Sequence, residues 1–197
     1  LAISADGTQP DPDVPALSVA FRGIAALQVD VRGPSMDLHS GLFGGSVQNP
    51  LHALARILDS MHAEDGSVTV DGFYNDVAAL TEDEKREIAS VPFDEQEMVS
   101  SIGVSELFGD PRFTPRERIW ARPTLEINGV WGGFQEEGVK TVIPREAHAK
   151  ITCRLVPNQE PDDILRKVQS HIRDNVPPGV SLNCHSFPGS ARPYLVP

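Results

Sequence analysis

The residues best placed for chemistry lie in the segment Asp37-Leu-His-Ser-Gly-Leu-Phe-Gly-Gly45. Its glycines permit an unusual backbone path and a close approach by a ligand. A histidine in such a loop can donate to an oxygen that becomes negative during a reaction, which makes His39 a candidate. The same residues also fit a turn with a solvated histidine. The glycine spacing matches neither the dinucleotide nor the P-loop fingerprint, which argues against a phosphate cradle.

Two further positions follow. Thr141 lies in the glycine-rich connection Gly129-Val-Trp-Gly-Gly-Phe134 to Gly138-Val-Lys-Thr-Val-Ile-Pro144 and could offer its hydroxyl to a substrate. A long hairpin loop with Val142 and Ile143 tucked into the core explains the segment equally. Arg154 shares the polar face of its strand with Thr152 and Lys150, where a guanidinium can take a carboxylate bidentately or simply be solvated. His52 and His62 stand ten apart, not at the i, i+4 spacing of a helical metal pair, and His148, His171 and His185 are isolated. No Ser-His-Asp set, Cys-His pair or metal-ligand cluster is visible.

The elements that must position these residues are legible as periodicities. Leu27, Val29 and Val31 alternate with polar residues, as do Leu125 and Ile127, then Ala149, Ile151, Cys153 and Leu155, then Val180, Leu182 and Cys184. Each set predicts a strand with one covered face. Asn49-Pro50 supplies an N-cap and a first-turn proline to a helix expected over 50–63. Its apolar stripe is read as Leu51, Leu54, Ala55, Leu58 and Met61. A second helix starts at Pro161 with Asp162 and Asp163 in its first turn and buries Ile164, Leu165, Val168 and Ile172. The order is β-α-(insert)-β-β-α-β, a ferredoxin-like α+β fold with a four-stranded antiparallel sheet and two helices on one face. The insert, about 67–121, carries two capping boxes, Thr81-Glu-Asp-Glu84 and Thr114-Pro-Arg-Glu117, so it is expected to be helical. The fold leaves the second strand, about 123–130, at a sheet edge, and an edge needs a cover or a partner.

The 197 residues are 40% hydrophobic and 23% charged, enough apolar content for a core. A formal charge of −11 argues against nucleic acid and anionic membrane surfaces as partners. Cys153 and Cys184 lack metal-ligand spacing and read as reduced core residues of a cytoplasmic protein. Both ends, the Pro/Asp-rich run Gln9 to Pro15 and the tail Ser190 to Pro197, read as linkers. The chain is therefore expected to be a piece of something longer.

Six segments in order carry a family resemblance: Phe21-Arg-Gly23, Asp37 to Gly45, Asn49-Pro50, Arg122-Pro-Thr-Leu-Glu-Ile-Asn-Gly129, Lys140-Thr-Val-Ile-Pro-Arg145 and Arg154-Leu-Val-Pro157. Together they resemble the lid and dimerisation domain of the zinc metallopeptidase family. That family holds carnosinase-type dipeptidases, aminoacylases, acetylornithine deacetylase and succinyl-diaminopimelate desuccinylase, and the carnosinase-like branch is nearest. The resemblance implies a domain inserted into a catalytic domain with two divalent metal ions, zinc or manganese, and a homodimer acting on dipeptides or acyl-amino acids. His39 matches a histidine that stabilises the oxyanion in the partner subunit's active site. Thr141 matches a substrate-contacting threonine, and Arg154 an arginine that binds the substrate carboxylate. Asp6, in Ile3-Ser-Ala-Asp6-Gly, resembles a metal-binding aspartate of the full-length parent.

The implied division is 1–19 as a remnant and linker from the catalytic domain, 20–188 as the lid and dimerisation domain, and 189–197 as the return linker. Other metal ligands and the glutamate general base would lie outside the chain. The isolated fragment is accordingly expected to hold no metal and to be inactive. The competing expectation is a stand-alone ferredoxin-like module for oligomerisation or small-ligand binding, without catalysis.

Overall fold

The computed structural model describes residues 18–196. β1 (Ala20–Phe21) leads into β2 (Gly23–Arg32), followed by β3 (Leu38–His39), α1 (Ser40–Phe43) and α2 (Pro50–Asp59). The insert holds α3 (Glu82–Ser90), α4 (Glu95–Ile102) and α5 (Pro115–Ala121). Then come β4 (Thr124–Gly132), β5 (Val142–Ile143), β6 (Glu146–Leu155), α6 (Pro161–Asp174), β7 (Ser181–Ser186) and β8 (Tyr194–Leu195). The main sheet runs β4-β6-β2-β7, and every neighbouring pair is antiparallel. This is the expected ferredoxin-like arrangement, with the second of its four strands at an edge.

Alternation decides which face is covered. Leu27, Val29 and Val31 of β2 and Ala147, Ala149, Ile151, Cys153 and Leu155 of β6 are fully buried. Leu54 and Ile57 of α2 and Ile164, Val168 and Ile172 of α6 close over them. Burying one such aliphatic side chain contributes roughly 1.5–3 kcal/mol, so this layer dominates the stability. Burial also pushes the Cys153 thiol up to about 12 and the Cys184 thiol up to about 11, because a thiolate would be stranded without solvation. Both cysteines are free.

Helix α2 corrects the expected stripe. Ala53 and Ile57 are buried with Leu54, Leu58 and Met61, whereas Ala55 is exposed and Leu51 is half-buried. The helix also stops at Asp59 rather than near 63. Beyond it the Met61 carbonyl accepts from the Thr69 amide and His62 bridges to Val68, so the chain leaves the helix for a hairpin-like turn.

Both expected capping boxes form: Thr81 with Glu84 opens α3, and Thr114 with Glu117 opens α5. The helix α4, capped by Asp94, was not foreseen. The insert is anchored by Phe73, fully buried, and by the Gln159 side chain, which accepts from the Val156 amide and donates to the Phe73 carbonyl at 2.8 Å. The turn after α2 also covers the start of the β4 edge, where the His62 ring Nε2 meets the Leu125 carbonyl at 3.0 Å. Past a bulge between Ile127 and Gly129 no other strand among the described residues pairs with this edge, and Val130 is 53% exposed.

Candidate functional site

His39 and Thr141 lie 102 residues apart in sequence, and a two-strand ribbon brings them together. Leu38 pairs with Ile143 and His39 with Val142, and the Ser40 amide donates to the Thr141 carbonyl at 3.0 Å. The Asp37 carboxylate accepts from the Arg145 amide at 2.9 Å, which ties the ribbon to the start of β6. The His39 ring then sits with Nε2 3.4 Å from the Thr141 hydroxyl, while Nδ1 accepts from the Gly41 amide at 3.0 Å. The pair is exposed and rimmed by exposed apolar side chains, Met36, Leu42, Phe43 and Val139.

Arg154 is elsewhere. It lies near the end of β6, opposite Ile24 of β2 and Thr124 of β4. The cleft beside Ser40 and Val142 is lined by Pro178 and Gly179, which precede β7, so His39 occupies the other end of the sheet. From Glu146 to Arg154 the strand alone spans roughly 26 Å. The structure therefore joins His39 to Thr141 and separates both from Arg154.

Beside Arg154 stands a residue to which the sequence reading gave no role. Arg22 is half-buried just before β2. Burial pushes its guanidinium below the ordinary value, and the like charge of Arg154 adds to this, partly offset by Glu126. Among the described residues neither arginine has an ion-pair partner, so this end of the sheet presents two cations. Its sequence signal is its place in the Phe21-Arg-Gly23 segment, but its approach to Arg154 follows from the pairing of Ile24 with Arg154, which only the structure shows.

Between the two ends, the open face holds a polar cluster around Asp30, which is 7% exposed. Its carboxylate accepts from Gln28 at 2.8 Å, His148 Nδ1 at 2.7 Å and Asn183 at 3.3 Å. Trp131 stacks on the His148 ring with centroids 4.9 Å apart. Burial by itself would raise the Asp30 carboxyl, but the bonds from Gln28, His148 and Asn183 hold it below the ordinary value. Such a group stabilises the fold fully above the unfolded value of about 3.9, and the contribution fades as pH falls through the lower folded value. Asp30→Ala is expected to cost about 1–3 kcal/mol at neutral pH, the penalty for stranding partly buried donors. Urea unfolding at pH 7 and again near pH 3 checks both the loss and its shrinkage in acid.

Asp6 lies outside the described residues. Among the described residues no group of three or more His, Cys, Asp or Glu side chains could hold a metal ion. The candidate residues instead form two separate polar sets, His39 with Thr141 at one end of the sheet and Arg154 beside Arg22 at the other.

The family described as "Peptidase dimerisation domain" matches residues 19–180. The chain belongs to this family. The Cys-Gly metallodipeptidase dug1 of Schizosaccharomyces pombe is 34% identical over 159 residues, covering 80% of this chain and 33% of that protein. The human Beta-Ala-His dipeptidase is 33% identical over 160 residues, covering 81% of this chain and 32% of that protein. Among solved structures, an M20 family metallo-carboxypeptidase from Sulfolobus solfataricus superposes with a TM-score of 0.82 at 30% identity, covering 95% of this chain and 48% of that one. This dimerisation domain thus spans about a third of the length of the curated relatives it matches. The superposition with the Sulfolobus solfataricus structure extends over nearly the whole α+β domain.

Proposed function

We propose that this dimerisation domain is also the active-site lid of a metal-dependent dipeptidase or related amidohydrolase, and that its two ends serve two different active sites. The observation that carries the reading is the separation of His39 and Thr141 from Arg154 along β6. One copy cannot bring all three onto one small substrate, but two copies facing each other can. In this reading Arg154 holds the substrate carboxylate beside its own catalytic domain. His39 and Thr141 reach across to the partner's site, and the apolar rim of Met36, Leu42, Phe43 and Val139 seats that end against it.

A centre of two divalent ions, zinc or manganese, would supply the activated water. In this reading the centre is held by the remainder of the parent, with Asp6 as the one ligand proposed from this chain. What this chain's own residues do is donate a hydrogen bond to the developing oxyanion and anchor the carboxylate. Residues 20–188 form the lid, with 1–19 and 189–197 as its connections to the catalytic domain. The ribbon of β1 and β8, pairing Ala20 with Leu195 and Phe21 with Tyr194, supports this division because it places the start of the lid beside the return connection. A cytoplasmic setting is supported by the two free thiols, Cys153 and Cys184. Among the described residues no helix is long and apolar enough to cross a membrane.

The homodimer would form along the part of β4 past the bulge, so that two sheets join across a two-fold axis. The Gly33 amide bonds the Arg145 carbonyl. Alternation from there turns the backbone groups of Ala149 toward β2 and those of its partner Val130 toward the free edge. Val130→Pro is therefore expected to give monomers while sparing the β4–β6 ladder. Glu126→Pro would break that ladder instead, because Glu126 faces β6. Light scattering at tens of micromolar tests this: a monomeric wild-type chain, or a dimeric Val130→Pro variant, would contradict it.

A further inference from the structure

Two contacts hold the His39 ring, and one of them determines where its proton sits. A backbone amide only donates, so the Gly41 N–H at 3.0 Å from Nδ1 requires a lone pair there. In the neutral imidazole the proton is then on Nε2, the nitrogen that faces Thr141 and the open rim. With a Cβ at residue 41 the ring would have to move from this place. A Cβ there would lie 2.8 Å from His39 Cε1 and 3.1 Å from Nδ1.

The backbone itself makes no such demand. Gly41 stands in α1 and is not among the glycines with positive φ, so an L-residue can adopt its conformation, and alanine is the better helix former. Gly45 in the same loop is the opposite case, with φ +81° and nothing within 4 Å of a Cβ. One glycine serves the backbone; the other serves the ring.

We propose that Gly41 is a positioning residue that locks His39 in its Nε2–H tautomer and holds that N–H on the exposed side of the ring beside Thr141, making His39 a donor rather than a base. Its kinetic consequence rests on the active-site role proposed above for His39; the tautomer does not.

The test uses nitrogen-15 correlation spectra of the histidine rings in this chain, with the His39 signals assigned by their loss in His39→Ala. The wild-type ring is expected to show a bare Nδ1 and a protonated Nε2. Gly41→Ala is expected to give a mixture of tautomers, with backbone spectra unchanged beyond the immediate neighbours of residue 41 and an unchanged or higher melting temperature. In the full-length enzyme the same substitution should lower kcat roughly 10–100-fold with little change in KM. It should add nothing to the loss caused by His39→Ala. A protonated Nδ1 in the wild-type spectrum overturns the proposal without recourse to any variant, as does a Gly41→Ala spectrum with the tautomer unchanged. If His39→Ala leaves kcat intact, the active-site reading fails, and the lock is judged on the spectra alone.

Discussion

Two inactive variants of the full-length enzyme are expected to regain activity when they share one heterodimer. The first carries His39→Ala, which should reduce kcat by about 10²–10³, the scale for losing one preorganised oxyanion donor. The second keeps His39 and lacks the catalytic glutamate of its own metal-bearing domain. If His39 works across the dimer, the heterodimer holds one complete site, the first subunit's catalytic domain under the second subunit's histidine, and recovers towards half the wild-type rate. Verified heterodimers that stay inactive would mean that His39 acts within its own subunit or takes no part. Conservative substitutions separate donation from loop structure. His39→Asn keeps an acceptor for the Gly41 amide, where asparagine is a good N-cap, but has no group at the Nε2 position. It should fold normally and remain slow. His39→Gln places an N–H near that position and should restore part of kcat.

Arg154→Ala is expected to raise KM by about 10–100-fold with a smaller change in kcat. Losing a hydrogen bond to a charged group costs about 1.5–3 kcal/mol, and a carboxylate remote from the scissile bond is held about equally in the ground and transition states. Arg154→Lys should recover only part of the affinity, because an ammonium cannot offer the planar two-pronged contact. Stability should not change in either variant, since Arg154 is exposed and unpaired among the described residues. Steady-state kinetics with a dipeptide and with the same dipeptide amidated at its C-terminus gives the sharpest check. The arginine should matter for the first and hardly for the second. A fall in kcat at constant KM would move Arg154 from anchoring the substrate to stabilising the transition state.

These expectations rest partly on what the sequence determined alone. Period-two alternation placed the four long strands, because burial on one face of a ten-residue strand such as β6 leaves a pattern no other element makes. The capping boxes at Thr81 and Thr114 and the Asn49-Pro50 start were equally legible, since a cap is a contact over three residues. Leu54, Leu58 and Met61 of the α2 stripe were legible too, whereas Ala53 and Ala55 could not be told apart because alanine suits either face. Ile57 is what settles it, with Ala53 one turn before it and Leu54 and Leu58 alongside.

The pairing of His39 with Thr141 was beyond such reading. Strands of two residues have no period, and their register follows from bonds such as Asp37 to the Arg145 amide, made across 108 residues. Asp30 was read as one more polar residue on an open face. It can stay buried because its own strand brings it Gln28 and the two flanking strands bring it His148 and Asn183 as donors. The distance from His39 to Arg154 was likewise decided only in three dimensions. It follows from the antiparallel register of β6 between β2 and β4, which sends the chain away from the His39 ribbon for the full length of the sheet.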